Sequence, residues 1–150
     1  MLLRARSGFT LIELAISMML VYLLASIMLP QMKRVFDFAK TARATAEVRL
    51  IQAEVAQYIA TVGKPPPTLL DIERSGMVDP WGSVYVYAPY NGGPPPGARL
   101  DQFGVNVNSD YDVYSSGPDR LSQPSLTAFA SRDDVIRGGD GSFIGLATNY

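Results

Sequence analysis

The chain has 150 residues, with 13 Lys and Arg against 14 Asp and Glu, and contains neither histidine nor cysteine. That composition removes thiol nucleophiles, imidazole bases, disulfides and the usual zinc ligands, and leaves oxygen donors as the available metal chemistry. Through Val62 there are seven basic and four acidic residues, and from Gly63 onward six basic and ten acidic, so the second part is mildly acidic and does not suit nucleic acid.

Residues 14–32 are nineteen consecutive uncharged residues. That is enough to cross a bilayer as a helix, and it leaves room for one modest domain beyond. Glu13 heads the run. An ionisable group there costs roughly 2.5 to 3.5 kcal/mol on insertion scales, so it marks a functional partner, and the run itself offers no cation. Cleavage between Gly8 and Phe9 would free an α-amine four residues before Glu13, one helical turn away. Neighbouring copies would present the same amine at similar depth, which points to a processed, polymerising subunit. A secretory signal peptide shares the basic start, Arg4 and Arg6, but neither the long core nor the glutamate. A plain single-span anchor has the length, yet it needs neither Glu13 nor the Gly-Phe pair.

A helix is predicted over 9–62, with apolar Val48, Ile51, Val55, Tyr58 and Val62 at helical spacing and Gly63 and Pro65 as its stop. Pro30 lacks an N–H and crowds the Ser26 carbonyl, so an interruption is expected there, either a simple bend or a segment that extends when subunits leave the bilayer. Lys64-Pro65-Pro66-Pro67 reads as a stiff connector, and Thr68, with Asp71 three residues on, as the N-cap of a short helix over 69–75. Asp79-Pro80-Trp81-Gly82 has the composition of a type I turn. It opens a strand over 83–88 with Val84, Val86 and Ala88 on one face and Tyr85 and Tyr87, read as sheet packing, on the other. A Gly/Pro loop over 91–97 breaks that strand; Phe103, Val105 and Val107 alternate in a second, and residues 111–115 form a third. The fold class is α+β, a small antiparallel sheet packed on the C-terminal half of the long helix.

Asp119, Asp133, Asp134 and Asp140 lie between the third strand and a C-terminal run over 143–147. A loop of about twenty residues without its own secondary structure needs something to order it. Calcium, which takes roughly six to eight oxygens in irregular geometry, would serve. Arg132 and Arg137 offer the alternative of solvent-exposed ion pairs of little net worth, and Asp140 reads as a turn residue. The stretch 139–145 has the wrong spacing for a nucleotide loop, and no serine or aspartate stands in a catalytic arrangement, so the protein is not read as an enzyme.

Gly8-Phe9-Thr10-Leu11-Ile12-Glu13-Leu14 after a short basic leader resembles the cleavage and methylation signature of type IV pilins and pseudopilins. Asp79-Pro80-Trp81-Gly82 with the following Val-Tyr-Val-Tyr, and residues 110–119, are similar to the head of the major pseudopilin of type II secretion. The resemblance implies a lollipop of three parts: a leader over 1–8, a membrane and filament-core helix over 9–34, and a head over 35–150. It implies that prepilin peptidase cuts after Gly8, that Phe9 is N-methylated, that Glu13 pairs with a neighbour's amine, and that Thr10 and Pro30 belong to the assembling stem. It also implies a calcium site at Asp119, Asp133, Asp134 and the Ser116 carbonyl, although 120–132 is longer than the family's loop. The implied partners are copies of itself, other pilins and pseudopilins, an assembly platform and the lipid of the bacterial inner membrane, with the head in the periplasm. Its expected function is a secretion pseudopilus that drives export across the outer membrane. The alternatives are a surface pilus for adhesion or motility, or, from another class, a monomeric membrane-anchored ligand-binding module.

Overall fold

The computed structural model describes residues 8–150; Arg4, Arg6 and the rest of the leader over 1–7 lie outside the described residues. Helix α1 spans Leu11–Val62 and continues through Pro30, so the helix does not melt there. A single proline removes one N–H from the ladder, and the turns on either side keep their own bonds. The chain divides into two compact units, Met1–Phe38 and Ala39–Tyr150. In the first, α1 is long and apolar enough to cross a membrane, and its most apolar window buries nothing within the chain.

The second unit holds the rest of α1 and four strands: β1 Val86–Pro89, β2 Tyr111–Ser115, β3 Val135–Gly138 and β4 Phe143–Leu146. They form one antiparallel sheet in chain order, with Tyr87 opposite Val113, Ser115 opposite Val135, and Ile136 opposite Gly145. This is the α+β architecture that the residue pattern predicts.

Burial explains why the segments pack as they do. Ala44, Val48, Ile51 and Val55 of α1 are wholly buried, and with Tyr85, Tyr111, Val113 and Val135 they make the main core. Ile59 extends this stripe by its next turn, whereas Val62, read as part of it, is 48% exposed at the helix end. Burying a side chain such as Ile51 contributes about 1.5 to 3 kcal/mol. The tyrosines, not the valines, face inward from the first strand. Tyr85 and Tyr87 lay their rings on the core and send their hydroxyls out to Glu47 Oε2 at 2.7 Å and the Pro66 carbonyl at 2.9 Å, while Val84 stays exposed. Val107, Leu126, Ile136 and Ala147 form a second cluster, joined by Tyr114 and Phe143. Ile136 and Val135 point to opposite faces because side chains alternate along a strand.

Four expectations are corrected. The first strand is shorter than 83–88, and Val84 makes only an isolated bridge to Val78. The helix over 69–75 is one 3-10 turn, Leu69–Ile72, although its Thr68–Asp71 cap forms, with Thr68 N–H donating to Asp71 Oδ2 at 3.0 Å. Phe103 and Val105 belong to no strand: Asp101 Oδ1 accepts both of their N–H groups at 2.8 and 2.9 Å, curling the chain into a turn that leaves both side chains exposed. The stretch after β2 is not a structureless loop, since it contains the 3-10 turn Phe129–Ser131 and the inner strand β3.

Candidate functional site

The N-terminal candidate is built by the first turn of α1. Thr10 precedes the helix, its carbonyl accepts Leu14 N–H at 3.1 Å, and its hydroxyl oxygen accepts Glu13 N–H at 3.3 Å. In return Glu13 Oε2 accepts the Thr10 N–H and hydroxyl at 3.5 and 3.4 Å. This is a capping box, which satisfies donors that a helix start leaves unpaired. Its signal, Thr10-x-x-Glu13, stands in the sequence beside the Gly-Phe pair. The bonds are long and exposed, so the carboxylate is loosely held and open to a stronger donor. Nothing lies within 4 Å of the position that a Cβ would take at Gly8, so no crowding within the described chain demands glycine there.

The acidic candidate is dispersed rather than gathered. Asp119 and Asp133 approach each other: Asp119 N–H donates to Asp133 Oδ2 at 3.4 Å, while Asp119 Oδ1 accepts Leu121 N–H at 2.8 Å. Gly117 holds the chain there, at φ +64° and so close to Asp133 that a Cβ would sit 2.4 Å from its carbonyl oxygen. Ser116 is half-buried after β2. Asp134 is engaged elsewhere. Fully buried, its Oδ2 accepts Arg99 Nη2 at 2.5 Å and Ser122 Oγ at 2.6 Å. Burial pushes this carboxyl up to about 6, against the pull of Ser122 and Arg99. Among the described residues no three acidic side chains come together as a metal-binding group. Held by Arg99 and Ser122, Asp134 does not stand beside Asp119 and Asp133 as a third free carboxylate.

The alternative of exposed ion pairs fits Arg137 no better. Arg137 is buried, forks onto both oxygens of Asp110 at 2.7 and 2.8 Å, and lies 3.9 Å over the Tyr111 ring. Asp140 does close a turn and also bridges two segments: it accepts the Ser109 N–H and hydroxyl, both at 2.7 Å, and gives its own N–H to Asn108 Oδ1 at 3.0 Å. The Ser109 bonds hold its carboxyl below the usual range. A lowered native pKa means that the unfolded chain binds the proton more readily. This contribution is present above the ordinary value of about 4 and is lost as pH falls through the native value. Asp140→Ala is expected to cost about 1 kcal/mol near neutrality, more than Asp140→Asn, which tolerates the left-handed φ of +54°. In thermal melts the deficit of Asp140→Asn should shrink below about pH 4; a deficit independent of pH would exclude the carboxylate bond as its source.

Two further carboxylates organise the head. Asp79 is buried in its turn, its Oδ1 accepting Trp81 and Ser83 N–H at 3.0 and 2.8 Å and its Oδ2 accepting Ser115 Oγ at 2.5 Å. Asp112 is buried in β2 and accepts Tyr90 Oη at 3.0 Å, Arg99 N–H at 2.8 Å and Asn108 Nδ2 at 2.8 Å. The Asp-Pro-x-Gly turn announces Asp79; nothing local announces the burial of Asp112.

No family model matches the chain. No solved structure matches it. It is similar to the type II secretion system core protein G of Pseudomonas aeruginosa, 30% identical over a 138-residue alignment that covers 77% of this chain and 86% of that protein. With an exposed apolar helix at its N-terminus and an antiparallel α+β head, the chain belongs to the type IV pilin and pseudopilin family.

Proposed function

We propose that the protein is a structural subunit of a type II secretion pseudopilus, assembled from the inner membrane to drive export across the outer membrane. The similarity to a secretion core protein over most of both chains carries this reading and favours it over a surface pilus. In this scheme prepilin peptidase cleaves after Gly8, the new Phe9 amine is methylated, and the stem bundles with copies of itself and with other pseudopilins on an assembly platform, leaving the head in the periplasm. The role of the protein is assembly, not catalysis. One observation supports it: the stem's apolar surface is uncovered.

Intact-mass and N-terminal analysis of membrane-extracted protein should find a chain that begins at a methylated Phe9. An unmethylated Met1 start would leave a simple anchor. Deleting the gene should trap secreted proteins in the periplasm, whereas normal export with lost surface filaments would assign the subunit to a pilus.

A further inference from the structure

We propose that the Arg99 guanidinium takes the place of a divalent cation in this head, holding segments 98–100, 122–126 and 131–134 together so that the fold is independent of calcium. A calcium ion orders a loop by drawing several oxygens around one positive charge. The same arrangement exists here around a charge attached to the chain. Arg99 is 1% exposed, and its Nη1 donates to Ser122 Oγ and the Gln123 carbonyl, both at 2.5 Å, while Nη2 donates to Asp134 Oδ2 at 2.5 Å. Its guanidinium lies 4.3 Å from the centre of the Tyr114 ring, which closes one side of the site.

The backbone around it is tied in the same way. Leu100 N–H donates to the Pro124 carbonyl at 2.8 Å, Leu126 N–H returns to the Leu100 carbonyl at 2.9 Å, and Arg99 N–H is anchored on Asp112 at 2.8 Å. Ser131 Oγ donates to the Gln123 carbonyl at 2.8 Å and accepts Gln123 N–H at 2.9 Å. Carboxylate, carbonyl and hydroxyl oxygens that could ligate a metal thus converge on a guanidinium. Arginine suits the position because it stays charged and presents a fixed fork of donors, which the flexible point charge of lysine does not. The long stretch 120–132 supplies two of the oxygens, those of Ser122 and Gln123. Asp134 Oδ1 and Arg99 Nε are enclosed without partners, so the pair depends on its other contacts.

The test uses the full-length protein in detergent micelles, melted with excess EDTA and with added calcium. The wild type should melt at one temperature in both. Arg99→Met should lower the melting temperature by about 10 °C or more, because it leaves a buried carboxylate unpaired. Arg99→Lys should fall between them, and Arg99→Met should cost much less when Asp134→Asn is already present. A wild-type melting temperature that drops in EDTA or rises with calcium would overturn the proposal, as would an Arg99→Met loss of equal size in the Asp134→Asn background. If Arg99→Met does not fold, the wild-type chelation comparison and Arg99→Lys decide the question.

Discussion

Glu13→Ala is expected to be cleaved and methylated normally yet to form no filaments. The carboxylate is exposed at the start of α1, and among the described residues it is held by Thr10, at 3.4 Å to the hydroxyl and 3.5 Å to the backbone N–H. Losing such a cap costs the helix about 1 kcal/mol, too little to unfold a stem whose remaining turns are apolar and continuous. Assembly is different. With alanine the carboxylate is gone and a neighbour's freed amine would sit in lipid without its counter-ion, at roughly 2.5 to 3.5 kcal/mol for an unpaired charge, so loss of the pair weakens each subunit's association on the order of a hundredfold. Two further variants separate cap from charge. Glu13→Gln keeps a capping-box residue but not the charge and should also fail to assemble; Thr10→Ala breaks the box, keeps the charge and should assemble. Electron microscopy of sheared filaments, with intact mass as the control for processing, reads all three. Normal filaments from Glu13→Gln would remove the charge from the assembly step and leave Glu13 a helix cap.

Asp112→Ala should cost the head about 3 to 5 kcal/mol, a fall of about 10 °C or more in melting temperature. The residue is 1% exposed, and three donors converge on it: the Tyr90 hydroxyl, the Arg99 backbone N–H and the Asn108 amide. Burial and the Asp112 charge push the Tyr90 phenol upward, so it remains protonated and remains a donor. Alanine would leave these donors without an acceptor, at about 1 to 3 kcal/mol for each one that water cannot reach. Asn108 loses least, because its amide also bonds the Arg137 carbonyl at 3.0 Å. Asp112→Asn preserves shape but offers one good acceptor and one donor where three donors point, and should fall between wild type and alanine. Circular dichroism melts of the full-length protein check the order. Wild-type behaviour from Asp112→Ala would mean that the segments around Tyr90, Arg99 and Asn108 are held without it.

What the amino-acid order alone determines is whatever is encoded within a turn or two of backbone. The uncharged run after Glu13, the stop at Gly63, the Thr68 cap, the Asp79 turn and β2 are all of this kind, and all are present. The alternation of Tyr85 and Tyr87 with valines is equally local. Which of its two faces turns inward was decided by α1, whose stripe from Ala44 to Val55 offers an apolar bed to the rings and places Glu47 where the Tyr85 hydroxyl ends.

Tertiary structure alone decided β3 and the fate of the acidic residues. β3 carries a buried arginine and a glycine, so its own pattern is weak; it is a strand because β2 and β4 pair with it on either side. Asp134 looks like a loop carboxylate until Arg99, 35 positions earlier, is brought against it. Phe103 and Val105 alternate like a strand, but Asp101 takes their N–H groups first. Periodicity and turn chemistry act between near neighbours and can be read in order, whereas strand pairing and buried ion pairs depend on which distant segments share a face, and only the packed chain sets that.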